Sequence, residues 1–201
     1  MIIAIVGPPA CGKSTIAVIL RNRFRKEGSI HLVARYNHLF SFILSYLASG
    51  RSKYISLGIS PLAIMDRYKL NKLFTVWFVV EALSQVVMYM LIRLLNIFIK
   101  IVIVEDAFID GIVDYAVLKK HLPNARHGIV SRLIMLTYIL FLKLRPRMVI
   151  YVYTDYVTAL KRQLSRKRIA SYVGEWYHQM HHRLIRIISV INAGKFVEIY
   201  T

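Results

Sequence analysis

The sequence predicts an α/β fold of three layers, a parallel five-stranded sheet with helices on both faces, and three observations predict it. Apolar strand-like runs alternate with helical stretches along the whole chain instead of segregating into separate halves. The runs "IVIV" and "MVIYVYT" are continuously apolar, as expected of parallel strands covered on both faces. At 201 residues, with no internal repeat, low-complexity tract or long linker, the chain reads as one domain over 1–201.

The elements follow in order. "MIIAIV" is a first strand over 2–6; it breaks after six residues and lacks a basic leader, so it does not read as a signal peptide. An amphipathic helix over 13–27, a strand over 30–35 and a helix over 38–49 come next, then helices through 62–98 and a strand over 101–105. In "LFTVWFVVEALSQVVMYMLIRLLNIFIKIVIV" the charges of Glu81, Arg93 and Lys100 interrupt the apolar run. The longest charge-free piece, Ala82 to Ile92, is shorter than the ~18–20 residues a bilayer span needs, so a buried helix running into a central strand is expected. Helices over 109–121 and 129–143, a strand over 147–153, helices over 155–169 and 171–192, and a strand over 195–200 complete the chain.

Gly7-x-x-x-x-Gly12-Lys13-Ser14 fits the phosphate-binding loop pattern at every fixed position, with a strand before it and a helix after it. This makes the fold a P-loop NTPase and the ligand a nucleoside triphosphate. Gly7, Pro8, Pro9, Ala10, Cys11 and Gly12 form a loop whose N–H groups can curl around phosphate oxygens at the positive end of a helix. Lys13 reaches the β and γ phosphates, Ser14 ligates the magnesium ion that accompanies them, and Thr15 supports the first helical turn.

Cys11 is the single cysteine, which excludes an intramolecular disulfide and points to a reducing, cytoplasmic setting. Inside the loop it reads as a small residue that fits tightly. Twenty-eight Lys and Arg against ten Asp and Glu give a net charge of +18, which favours phosphorylated small molecules, nucleic acid or anionic membrane surfaces without choosing among them. The hydrophobic fraction of 57% leaves peripheral membrane contact open.

Four of the ten acidic residues fall in "IVIVEDAFIDGIVDY". Asp106 ends an apolar strand where a carboxylate can face the phosphate loop and serve the magnesium ion, directly or through water, or accept a proton. Glu105 is its rival, because neighbouring strand residues point to opposite faces and one of the two should face the loop. Asp110 and Asp114 share a helix face with Asp106 and are expected to be a solvated stripe. In "TALKRQLSRKR", Arg162 and Arg166 share a helix face and are candidates for stabilising a transferring phosphoryl group. Glu175, His178 and His182 also share a face, yet lack the HExxH arrangement; a solvated or core-edge position is expected and no metal is assigned.

These features resemble the P-loop nucleoside monophosphate kinases, most closely the thymidylate kinases, along nearly the whole chain. In that family the strand after the long middle helix ends in Asp-Arg-Tyr and a helix with an aromatic residue follows; Asp106, Phe108 and Tyr115 stand at those positions. The resemblance implies that Arg35 binds the acceptor phosphate, that Phe74 in "KLF" stacks on the base, and that Arg162, Arg166 and Arg168 form a lid. It places acceptor-side helices at about 36–98 and the lid at about 155–172. It implies transfer of the γ-phosphoryl group of ATP, with magnesium, to a phosphorylated small acceptor, a nucleoside monophosphate, in nucleotide biosynthesis; a homodimer is compatible with it. The chain departs from the family at Ala107 and Phe78, where arginines stand, and at Pro9, where an acidic residue contacts the sugar. The alternatives are a nucleic-acid-binding P-loop kinase or ATPase and a degenerate ATP-binding protein without kinase activity.

Overall fold

Five strands, β1 (Ile2–Val6), β2 (Ser29–Val33), β3 (Ile101–Glu105), β4 (Met148–Tyr153) and β5 (Phe196–Tyr200), pair in parallel in the order β2-β3-β1-β4-β5. The computed structural model describes residues 1–33, 74–106, 108–121, 124–165, 175–192 and 194–201. The helices among these are α1 (Lys13–Arg23), α2 (Phe74–Phe98), α3 (Ile109–His121), α4 (Asn124–Leu144), α5 (Tyr156–Ser165) and α6 (Glu175–Asn192). This is the three-layer α/β fold expected from the alternation of apolar runs.

The period of two along each strand divides the core. Ile2, Ala4 and Val6 of β1, with Val102, Val104, Val149 and Tyr151, face one side and pack with residues of α2, α3, α4 and α6. Ile3 and Ile5, with Ile101, Ile103, Ile150 and Val152, face the other side, where Ala17, Ile16 and Leu20 of α1 cover them. Both faces of the central strands are thus dry, which explains why β1 and β3 are apolar at consecutive positions. The register pairs Ile5 with Glu105 and Val6 with Tyr151, so the ends of β1, β3 and β4 lie side by side and the segments after them converge.

Three expectations change. The helix expected over 13–27 ends at Arg23; a 3-10 turn, Arg25–Glu27, follows, and Gly28 at φ 76° closes it before β2. The helix expected from 129 begins at Asn124. The long apolar helix α2 is not buried all round. Its inner face, with Trp77, Glu81, Met88 and Ile92, packs inward, while Leu83, Met90 and Leu94 on the other face are more than half exposed. Thr75–Phe98 and Arg126–Leu144 are long and apolar enough to cross a bilayer by length and composition, and 28% and 33% of their most apolar stretches are buried inside the fold. The helix expected over 38–49, the first part of the helices over 62–98, and Arg35, Arg166 and Arg168 lie outside the described residues.

Candidate functional site

The turn from β1 into α1 is shaped by steric exclusion. A Cβ on Gly7 would stand 2.1 Å from the carbonyl oxygen of Val152, so β4 admits only glycine there. Gly12 caps α1 with a left-handed backbone at φ 96°, and Ala10 also adopts a left-handed φ of 64°. The first turn of α1 carries no acidic residue and Gly12 supplies no side-chain cap. The N–H groups and positive dipole end of α1 therefore face the loop as an anion-binding end.

Lys13, the first residue of α1, folds back over this turn. Its Nζ donates to the carbonyl of Gly7 at 2.5 Å and to that of Pro8 at 3.0 Å, and lies 3.2 Å from Asp106 Oδ1. Burial disfavours the ammonium, but the surrounding negative charges, Asp106 foremost, outweigh it and raise the Lys13 pKa, so the residue is a fixed cation.

Glu105 and Asp106 both reach the loop, which corrects the expectation that one of them would point away. Asp106 leaves β3 at φ 56°, and this left-handed turn ends the strand alternation after Glu105. The amide of Asp106 still donates to the carbonyl of Ile5 at 3.0 Å. The two carboxylates divide the loop between them. Ser14 Oγ donates to Glu105 Oε1 at 2.5 Å, and the other oxygen of Glu105 lies 3.2 Å from His31 Nε2 on β2; Asp106 takes Lys13.

Asp110 and Asp114 are buried, not solvated, because this face of α3 turns inward, where Asp110 meets the loop and α6. Asp110 Oδ1 accepts the Gly7 amide at 3.2 Å and meets His181 Nε2 of α6 at 2.9 Å. Burial pushes Asp110 well above the usual carboxylate range and His181 down to about 3, so both move toward their neutral forms. His181 is a residue that sequence reasoning misses: a histidine within a basic amphipathic helix carries no sign of a partner about seventy positions away.

The neighbouring histidines sit at the edge of the core, as the sequence suggested for that face. His178 is buried and lowered by burial to about 4, and His182 Nδ1 lies 2.8 Å from the Tyr151 hydroxyl with its ring against Tyr153. Arg162 on α5 reaches across to the loop: its Nη1 donates to the carbonyl of Ala10 at 3.4 Å and to Thr201 Oγ1 at 3.2 Å, and Thr201 Oγ1 donates to the Cys11 carbonyl at 2.8 Å. Thr201, also absent from the sequence-based candidates, thereby ties the residue after β5 to the loop. Cys11 is fully buried, and burial raises its thiol to about 11, in line with a tightly fitting residue.

The aromatic candidates from the resemblance are placed differently. Phe108 is fully buried in the core against the sheet, although its φ is 40°. The Tyr115 hydroxyl is also buried, donating to Glu81 at 2.6 Å and accepting from Gln85 at 2.7 Å. Both are held by the protein interior, and Tyr115 has its hydroxyl engaged by α2. Phe74 opens α2; its side chain, like Arg35, Arg166 and Arg168, is outside the described positions.

By sequence, no family model and no curated protein matches the chain. By structure, it is similar to deoxyadenosine kinase from M. mycoides with bound dATP, at 14% identity and a TM-score of 0.59, over 100% of this chain and 91% of that one. The same enzyme with bound dCTP superposes at 16% identity and a TM-score of 0.57, over 100% and 90% of the two chains. Thymidylate kinase from Candida albicans superposes at 13% identity and a TM-score of 0.50, over 99% and 83%. The five-stranded parallel sheet, the phosphate loop after β1 and the helices on both faces are the P-loop fold that this chain shares with nucleoside and nucleotide kinases.

Proposed function

We propose that the chain is an ATP-dependent phosphotransferase that moves the γ-phosphoryl group of ATP to a small acceptor, a nucleoside monophosphate, with magnesium and in the cytoplasm. The observation that carries this reading is the pairing of Ser14 with Glu105 beside the pairing of Lys13 with Asp106 at one end of α1. A hydroxyl and a carboxylate side by side are hard oxygen donors of the kind magnesium takes, so the residues present fit the ion. Ser14 and Glu105 would hold it. Bound with the triphosphate, magnesium would supply charge neutralisation to the phosphates.

The chain's own residues do the rest. The loop N–H groups and the α1 terminus orient the phosphates, and Lys13 sets a fixed positive charge against them. Asp106 holds the Lys13 ammonium in place. Arg162, anchored at the Ala10 carbonyl, is close enough to the loop to bear on the transferring group, with Arg166 and Arg168 as its partners in the lid. Arg35, Phe74, Phe108 and Tyr115 are assigned to the acceptor side by the resemblance alone, and the burial of the last two favours a supporting role behind that site.

A second reading, with an unphosphorylated nucleoside as acceptor, is supported by the higher TM-scores to deoxyadenosine kinase and by Ala107 in place of a family arginine. Measuring ATP consumption with magnesium against a panel of nucleosides and nucleoside monophosphates decides between the two. Calorimetry anchors both: Lys13→Ala should weaken ATP binding at least ~100-fold in a folded protein, the scale of a lost charged phosphate contact. A wild-type chain that binds no ATP would end both readings.

A further inference from the structure

We infer that the end of the sheet opposite the phosphate loop is a docking face for an anionic lipid bilayer. All five strands are parallel, so every helix-to-strand turn lies at this one end. Backbone hydrogen bonds stitch the turns together: Ile101 to Gly28, Val102 to Met1, Arg147 to Ile2 and Val149 to Lys195.

The turns share one composition. Arg25 and Lys26 precede β2, Lys100 precedes β3, Arg145 and Arg147 precede β4, and Lys195 precedes β5; all six are exposed. Glu27 is the acidic residue among the described residues of these turns. Since β3 lies between β2 and β1, the turn before it falls within the basic row. There the end of α2 presents Ile97 and Phe98, exposed at 74% and 77%, with Leu94 at 52% one turn earlier.

Apolar side chains set among predominantly basic ones are what a bilayer interface of negative charge binds: the cations meet the headgroups and the apolar tips enter the acyl boundary. Nucleic acid would engage the same cations, but an isoleucine, a leucine and a phenylalanine projecting from one helix end gain nothing from phosphates. In this orientation the phosphate loop, at the other end of the sheet, faces away from the membrane.

The test is co-sedimentation of the full chain with phosphatidylcholine vesicles, with and without phosphatidylglycerol. Binding is expected to the phosphatidylglycerol vesicles alone, to fall about tenfold or more in R145E/R147E, and to fall similarly in I97S/F98S. Circular dichroism establishes that each variant is folded, and K161E/R183E, the same charge change on exposed positions of α5 and α6, should retain most of the binding. Equal loss in K161E/R183E would reduce the effect to net charge and overturn the docking face. Vesicle binding that ignores I97S/F98S and is displaced by an oligonucleotide would assign the basic row to nucleic acid. A concentration-dependent dimer in the absence of vesicles, abolished by I97S/F98S, would assign the apolar tips to a second copy. No sedimentation with either vesicle would also overturn the proposal.

Discussion

Where β1 and β3 end, Glu105, Asp106 and Asp110 crowd around the phosphate loop, and each is held by a particular partner: Ser14 and His31, Lys13, and Gly7 with His181. Where the strands begin, Arg25, Lys26, Arg145 and Arg147 stand in water without such geometry. The difference follows from solvation. A charge taken out of water is tolerated only with hydrogen-bonding or ionic partners, so at the loop end the identity of each residue matters. At the other end water does that work, and the sign of the charge matters more than which side chain carries it.

Swapping carboxylates for carboxamides at the loop end should break the comparison most visibly. Glu105→Gln is expected to lower turnover about 100-fold and raise the magnesium concentration required, the upper range for a group that orders a metal ligand. Asp106→Asn should cost about tenfold, expressed in ATP affinity through Lys13 with the magnesium response little changed. Steady-state rates over a magnesium series measure both, and a reversed ranking would move the metal-ordering role to Asp106.

The buried pair of Asp110 and His181 gives a smaller, structural effect. His181→Ala removes the ring that meets Asp110 Oδ1 and should destabilise the fold by about 1–3 kcal/mol, the range for a buried polar group losing its partner. Urea unfolding reads this directly. An unchanged midpoint would mean that the buried loop end tolerates loss of a partner as readily as the exposed end does.

The smallest effect belongs to the exposed turns. R25Q/K26Q is expected to leave the unfolding free energy within about 0.5 kcal/mol of the parent, since solvated surface charges carry little stability. A larger loss would show that those turns are specified as tightly as the loop.

The turn from β1 into α1 was legible because its signature is local: Gly7, Gly12, Lys13 and Ser14 fall close together in sequence, and their spacing alone places them. The strands were legible for a similar reason, since burial on both faces writes itself as an uninterrupted apolar run. What failed to show depends on distant or conformational facts. The spacing of Asp106, Asp110 and Asp114 gives a shared face but not its direction, and the partners that draw Asp110 inward, Gly7 and His181, are far away in sequence. Glu105 and Asp106 could not be assigned to separate duties without the left-handed turn at Asp106, which a non-glycine residue does not announce. The outward face of α2 was hidden because Leu83, Met90 and Leu94 are as apolar as the residues packed beneath them.

Cys11 turns the phosphate loop into its own reporter. The sulfur is enclosed, its thiol is raised to about 11, and the chain has no other cysteine to confuse the signal. An alkylating reagent can reach it only through excursions that open the turn between β1 and α1, so the labelling rate of the unmodified protein is a clock for those excursions. A ligand that tightens the turn slows that clock, whether or not any phosphoryl group is transferred.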